Sequence, residues 1–174
     1  MPDFSTFPDP PKQAGLSGLL ERLNHNLLRD RLVQDTVHEL RIALQVDRVV
    51  LYYFYNQWQG RVTFESLHDP ELSIFGSTGP DQCFNDEYAA LYLAGRVRAI
   101  SDIETERIAD CHRDFLRQLQ VRANLVVPIL TRQGLWGLLV AHHCQGPKTW
   151  TGVEMQQMQQ SAIQLAESAV IQPS

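Results

Sequence analysis

Apolar residues recur along this chain with two different periods, and the switch between them marks out its elements. Leu16, Leu19, Leu20, Leu23 and Leu27 step by three and four, and Val33, Val37, Leu40 and Leu44 resume the step after the polar break at 29–31. That spacing predicts two helices or one bent helix. β-Branched and aromatic residues then crowd "VDRVVLYYFY" (46–55), "NQWQG" makes a turn, and "RVTFES" (61–66) alternates through Val62 and Phe64. Together these predict a hairpin. Residues 67–86, rich in Pro, Gly and Asp, predict a long irregular excursion, a feature uncommon unless functional. "EYAALYLAG" predicts a short helix closed by Gly95, and "RVRAISDI" a strand or extended segment. Phe115, Leu116 and Leu119 predict another helix, with Asp110 as its N-cap. "ANLVVPIL" and "LWGLLVAHH" form a second hairpin through "TRQG". Thr151 and Glu154 stand at capping-box spacing, and Met155, Met158, Ala162, Leu165 and Ala169 continue as an apolar stripe, with Ile163, Ala166 and Val170 beside it. This order describes an α+β fold with helices segregated to one face of an antiparallel sheet.

Four prolines among residues 2–11 give the first stretch no periodicity, so residues 1–15 are expected to form a disordered or extended leader and 16–174 the domain proper. An apolar fraction of 44% with 20% charged residues is ordinary for a globular protein and excludes a collagen-like or disordered chain. The net charge of −5 offers no basic footprint for nucleic acid or an anionic membrane surface. The longest apolar runs fall short of the roughly 20 residues that cross a bilayer, and the N-terminus has no apolar signal core. A cytoplasmic location is therefore expected.

Three cysteines, Cys83, Cys111 and Cys144, lack CxxC pairing, which speaks against a disulfide framework or a structural zinc and leaves at least one thiol free. The run Asp110–Cys111–His112 sets a thiol at a helix start, where the dipole and free N–H groups favour a thiolate. Adjacent helical residues do not face one another, so His112 is better placed to touch a ligand than to serve as the base of Cys111. No hydrolytic pattern surrounds the thiol. A permanent covalent tether accounts for a nucleophile in that setting better than turnover does.

At this point the residues carry a resemblance. "ADCHRDFLRQLQVRANLVVPIL" followed by "LWGLLVAHHC" resembles the bilin-binding GAF domain of the phytochrome superfamily, over about residues 40–169. "DQCF" at 81–84 resembles the Asp-x-Cys-Phe signature of one dual-cysteine class of cyanobacteriochromes. The resemblance implies a central antiparallel sheet with helices on one face and a bilin pocket on the other, in a sensory light-input domain and not an enzyme. It implies a covalent linear tetrapyrrole, phycocyanobilin or its isomer phycoviolobilin, and reversible conversion between a blue or violet state and a green-to-orange one. Cys111 is then similar to the cysteine that forms the thioether, and His112 to the histidine packed on the pyrroles. Cys83, beside Phe84, matches the second cysteine, which adds reversibly to the bridge between rings B and C, and Asp81 the aspartate that bonds the pyrrole N–H groups and favours a cationic pigment.

His142 resembles the family histidine near ring D, whereas strand alternation sends His143 to the other face. Tyr92 matches a pocket tyrosine, although helix–sheet packing alone accounts for it equally well. Arg96 and Arg98 are candidates for the two propionates, and alternation does not decide which points inward. Cys144 has no assigned role and reads as a buried spectator. Gly79 stands where the red/green class carries tryptophan, which argues against that class. The implied partners are an output domain of kinase, cyclase or chemotaxis type and a second copy paired through the flanking helices. Two other readings stand beside this one: a GAF-fold thiol enzyme similar to free methionine sulfoxide reductase, and a regulatory module for a diffusible ligand. Neither predicts "DQCF" and "DCHRDFL" together.

Overall fold

The computed structural model describes residues 12–79 and 86–172. A single helix, α1 (Lys12–Leu44), replaces the two helices or bent helix of the sequence pattern. It begins at Lys12, inside the stretch expected to be a leader and directly after Pro11, the last proline of that stretch. Gln45, at φ 51°, closes α1: its N–H reaches the Ile42 carbonyl at 3.2 Å and that of Val46 reaches Arg41 at 3.3 Å. These paired bonds satisfy carbonyls the helix leaves open and turn the chain into the sheet.

The strands follow as β1 (Arg48–Asn56) and β2 (Gln59–Leu67), then β3 (Arg98–Ile100), β4 (Ala123–Thr131) and β5 (Gly134–His143). They form one sheet in the order β2-β1-β5-β4-β3, every neighbouring pair antiparallel. Both predicted hairpins are present, and the pairing of β1 with β5 joins them. Three helices complete the fold: α2 (Asp86–Leu93), α3 (Asp110–Gln118) and α4 (Gly152–Glu167).

Period-two alternation divides the sheet between two apolar layers. Val49, Leu51, Leu125, Val127, Leu139 and Ala141 pack against Val33, Val37, Leu40 and Leu44 of α1 and Met158, Ala162 and Leu165 of α4. Val50, Val126, Leu138 and Val140 point the other way, toward Val62 of β2 and Tyr92 of α2. The two long helices therefore share one face, as expected, while the short α2 and α3 stand on the other. The capping box at Thr151 and Glu154 is formed, whereas Asp110 is not the N-cap of α3. Ala109 holds that position, and Asp110, one residue inside, pairs with Arg113 at 3.2 Å.

Candidate functional site

On the sheet face opposite α1 and α4 lies a cleft, partly open to solvent. Its floor is Val50, Tyr52, Val126, Leu138 and Val140; α3 contributes Phe115, Leu116 and Leu119; and Ile74 to Gly79 form one rim. The lining is mostly apolar with a few polar groups, the usual make-up of cofactor sites.

Register explains the polar groups. Arg48 of β1 lies opposite His142 of β5, and His142 opposite Asn124 of β4, so one row crosses three strands on the cleft face. All three side chains are buried, each at most 3% exposed. Arg48 donates from Nε to His142 Nδ1 at 3.0 Å, from Nη2 to the Leu119 carbonyl at 2.8 Å, and from Nη1 to the Leu72 carbonyl. Arginine carries only donors, so Nδ1 of His142 must be the lone-pair nitrogen and the ring proton sits on Nε2. Burial, reinforced by the Arg48 charge, pushes the pKa of His142 well below the usual histidine range. Asn124 Oδ1 is buried without a hydrogen-bond partner.

Of the residues singled out from sequence, His142 and Tyr92 line this cleft. Tyr92 is 6% exposed, and burial raises its pKa to about 12 against the opposing charges of Arg96 and Arg98. Cys111 and His112 lie in the first turn of α3; Cys111 is four residues before the cleft-lining Phe115, and His112 three before Phe115 and four before Leu116, hence on the same helical flank. His112 is half-buried, its ring edge-on to Tyr88 at 6.5 Å. Burial lowers its pKa first, then Arg98 and Arg96, so it is neutral near pH 7. Cys111 is disulfide-bonded in this structure, which corrects the expectation of no disulfide: its residue is exposed, and an exposed sulfur is open to another thiol. Arg98 sits opposite Val126, which puts it on the cleft face, where it pairs with Glu106 at 3.2 Å. Arg96 precedes the strand and is half-buried. Asp81, Cys83 and Phe84 lie outside the described residues.

His143 turns to the far face, as alternation predicts, and its Nδ1 meets the Gly146 carbonyl at 2.8 Å. Cys144 is a half-buried free thiol whose pKa is raised by burial. The excursion after β2 is more ordered than its composition implies. Glu65 accepts from Ser73 Oγ at 2.5 Å and from the Ile74 N–H at 3.0 Å, and the Val62 N–H donates to the Ser77 carbonyl while the Val62 carbonyl accepts from the Gly76 N–H, each at 2.9 Å. Gly79 donates to Tyr52 Oη at 2.8 Å, and a Cβ there would lie 2.9 Å from that oxygen. A larger residue at 79 would have to displace Tyr52. Arg48, Asn124 and Tyr52 escaped the sequence reading. The one signal was a polar Asn inside the apolar run "ANLVVPIL".

The family model for the GAF domain matches residues 29–168, and the chain belongs to that family. It is 50% identical over 151 residues to an uncharacterized protein of Picosynechococcus, covering 87% of this chain and 93% of that one. A putative methyl-accepting chemotaxis protein of Synechocystis is 35% identical over 86% of this chain, which spans only 15% of that relative's length. Among solved structures, the blue-light absorbing form of the Thermosynechococcus elongatus PixJ GAF domain superposes with a TM-score of 0.75 at 31% identity, covering 83% of this chain and 88% of that one. A phycocyanobilin-bound GAF domain from a cyanobacterial phytochrome gives 0.73 at 28%, covering 91% and 93%. The first of these neighbours is named for absorbing blue light and the second for its bound phycocyanobilin.

Proposed function

We propose that this GAF domain is a photoreceptor that holds a linear tetrapyrrole, phycocyanobilin or phycoviolobilin, covalently on Cys111 and switches reversibly between a blue or violet state and a green-to-orange one. The observation that carries the reading is the cleft itself: an apolar cleft, partly open to solvent, flanked by the helix that bears Cys111 and His112 and lined by His142. The neighbours that bind such pigments support it. When bound, the pigment supplies a conjugated system that absorbs visible light and a double bond between its last two rings that isomerises.

The chain's residues supply the rest. Cys111 is the tether, and it must be reduced to attach, so loading and the disulfide exclude each other. His112 packs on the pyrroles and Tyr92 closes the wall behind them. Arg96 and Arg98 neutralise the propionates, with Arg98 leaving Glu106 to do so. Cys83, in the Asp-x-Cys-Phe stretch with Asp81 and Phe84, is the second thiol, whose addition and release shorten and restore the conjugated path. Output passes through the helices flanking the domain to a kinase, cyclase or chemotaxis module, in the cytoplasm; the chemotaxis relative, far longer than this chain, fits that arrangement.

The test is co-expression with phycocyanobilin synthesis under reducing conditions. The purified chain should be coloured and change its spectrum reversibly under blue light. Cys111→Ala should leave no pigment attached on a denaturing gel, whereas Cys83→Ala should keep the pigment and lose the short-wavelength band. A colourless wild type would end the proposal, and an unchanged Cys83→Ala spectrum would remove the second thiol from it.

A further inference from the structure

We propose that Glu106 is an internal counterion that stands in for a ligand carboxylate. Its side chain holds Arg98 before the pigment binds and is displaced by an anionic pigment, which makes Glu106 a specificity-determining residue of the site. This deepens the photoreceptor reading and rests on it, because a linear tetrapyrrole of that class carries propionate carboxylates.

Three observations meet here. Arg98 of β3 lies opposite the cleft-lining Val126 of β4, so its side chain leaves the sheet on the cleft face. Its charge acts on Tyr92 in the cleft wall and on His112 beside Cys111. Yet the carboxylate that its guanidinium meets is the protein's own: Nη2 donates to Glu106 Oε1 at 3.2 Å, and no other acceptor engages Arg98 among the described residues. Secondly, this pair is the loosest of its neighbourhood. Asp102 takes Arg122 with both oxygens, at 2.7 and 3.0 Å, and Glu104 takes Arg117 likewise, at 2.9 and 2.5 Å, whereas Glu106 makes one long contact with side chains 25% and 34% exposed. A ligand carboxylate free to meet the guanidinium with two oxygens has the better geometry. Thirdly, Glu106 can release its carboxylate without moving its backbone. Its N–H donates to the Asp102 carbonyl at 3.1 Å, and its own carbonyl accepts from the Ile108 N–H at 3.0 Å and from Arg113 Nη2 of α3 at 2.8 Å. The side chain therefore swings on a fixed main chain, and the start of α3, which carries Cys111, stays in place. An arginine beside an apolar cleft needs a counterion in every state, and Glu106 supplies one that is easily exchanged.

The experiment measures equilibrium binding in the dark in a Cys111→Ala background, where no thioether forms, by quenching of tryptophan fluorescence. The probes are phycocyanobilin as the free diacid and as its dimethyl ester. Glu106→Gln should tighten the diacid by about two- to fivefold, the scale of a partly exposed ion pair, and leave the ester unchanged. Glu106→Asp, which keeps the charge on a side chain one methylene shorter, should fall between, and it carries the test if Glu106→Gln fails to fold. In an Arg98→Gln background, Glu106→Gln should no longer affect the diacid, a check that needs no ester. Without pigment, Glu106→Gln should unfold within a few degrees of the parent chain. Equal tightening of diacid and ester, an unchanged diacid affinity in a folded Glu106→Gln, or a full effect that survives Arg98→Gln overturns the assignment while leaving the photoreceptor reading intact. A chain with Cys111 present and reduced that takes up no pigment brings down that reading and this inference together.

Discussion

At the residue scale the distinctive group is Arg48, a buried cation bonded to no carboxylate among the described residues. An ion so placed is normally costly, and here three acceptors compensate: the His142 ring, the Leu72 carbonyl and the Leu119 carbonyl. Its neighbour His142 is held neutral by burial and by that charge, and His112 is shifted the same way by burial and by Arg98 and Arg96. The sign follows from linkage: the unfolded chain protonates both rings near pH 6.5 while the folded one resists, so their contribution is fully present above pH 6.5 and is lost as pH falls toward their folded pKa values. Unfolding free energy should therefore drop from about pH 6.5 downward, by up to about 1.4 kcal/mol per pH unit for each histidine. Denaturant titrations should show a shallower slope in His142→Gln; an identical slope would place the proton uptake elsewhere. Sequence named His142, His112 and Cys111 because residue type and motif mark them. Arg48 and Asn124 were invisible because only strand pairing, set by residues about 95 and 18 positions away, brings them beside His142.

Among the elements, the segment from Pro70 to Gly79 shows how composition misleads. Its proline, glycines and polar residues predict an irregular path, and so it is, yet Glu65 of β2 fixes it through two hydrogen bonds and Arg61 bridges to Thr78. Irregular backbone is not the same as loose backbone when its polar groups have assigned partners. Ile74, held by that carboxylate, forms part of the cleft rim. Glu65→Ala should free the segment: amide exchange of residues 73–79 should accelerate by about one to two orders of magnitude, matching the loss of hydrogen bonds to a charged acceptor, while β4 and β5 stay protected. Exchange unchanged at Ile74 would show that backbone pairing with Val62 alone holds the rim. Elsewhere the elements were legible wherever one face is buried, as in both hairpins and α4. The exception was the number of helices before β1, because Arg29–Arg31 looks like a break in pattern but contains no helix breaker.

Over the whole molecule, burial is divided unevenly along α1. Its last part, from Val33 to Leu44, is built into the core against the sheet, and Asp47 and Arg48 follow immediately, joining the end of α1 to β5 and to the cleft. Its first part is different: Leu16, Leu19, Leu20, Leu23, Leu27 and Leu28 are each at least half exposed. A 33-residue helix is about 50 Å long, so this stripe extends well beyond what the domain can cover. Full burial of one leucine is worth about 1.5–3 kcal/mol, and the three-four spacing suits pairing with the same helix of a second copy. Such a pair would place two cleft-linked helices side by side, the arrangement by which a change at Arg48 and His142 could be passed along α1. Leu20→Lys with Leu27→Lys should then shift sedimentation from dimer to monomer while the thermal unfolding of the domain stays within a few degrees, because neither side chain belongs to its core. A wild type that sediments as a monomer at high micromolar concentration would refute pairing through this stripe, and a double variant that unfolds much earlier would show instead that the leucines support the fold.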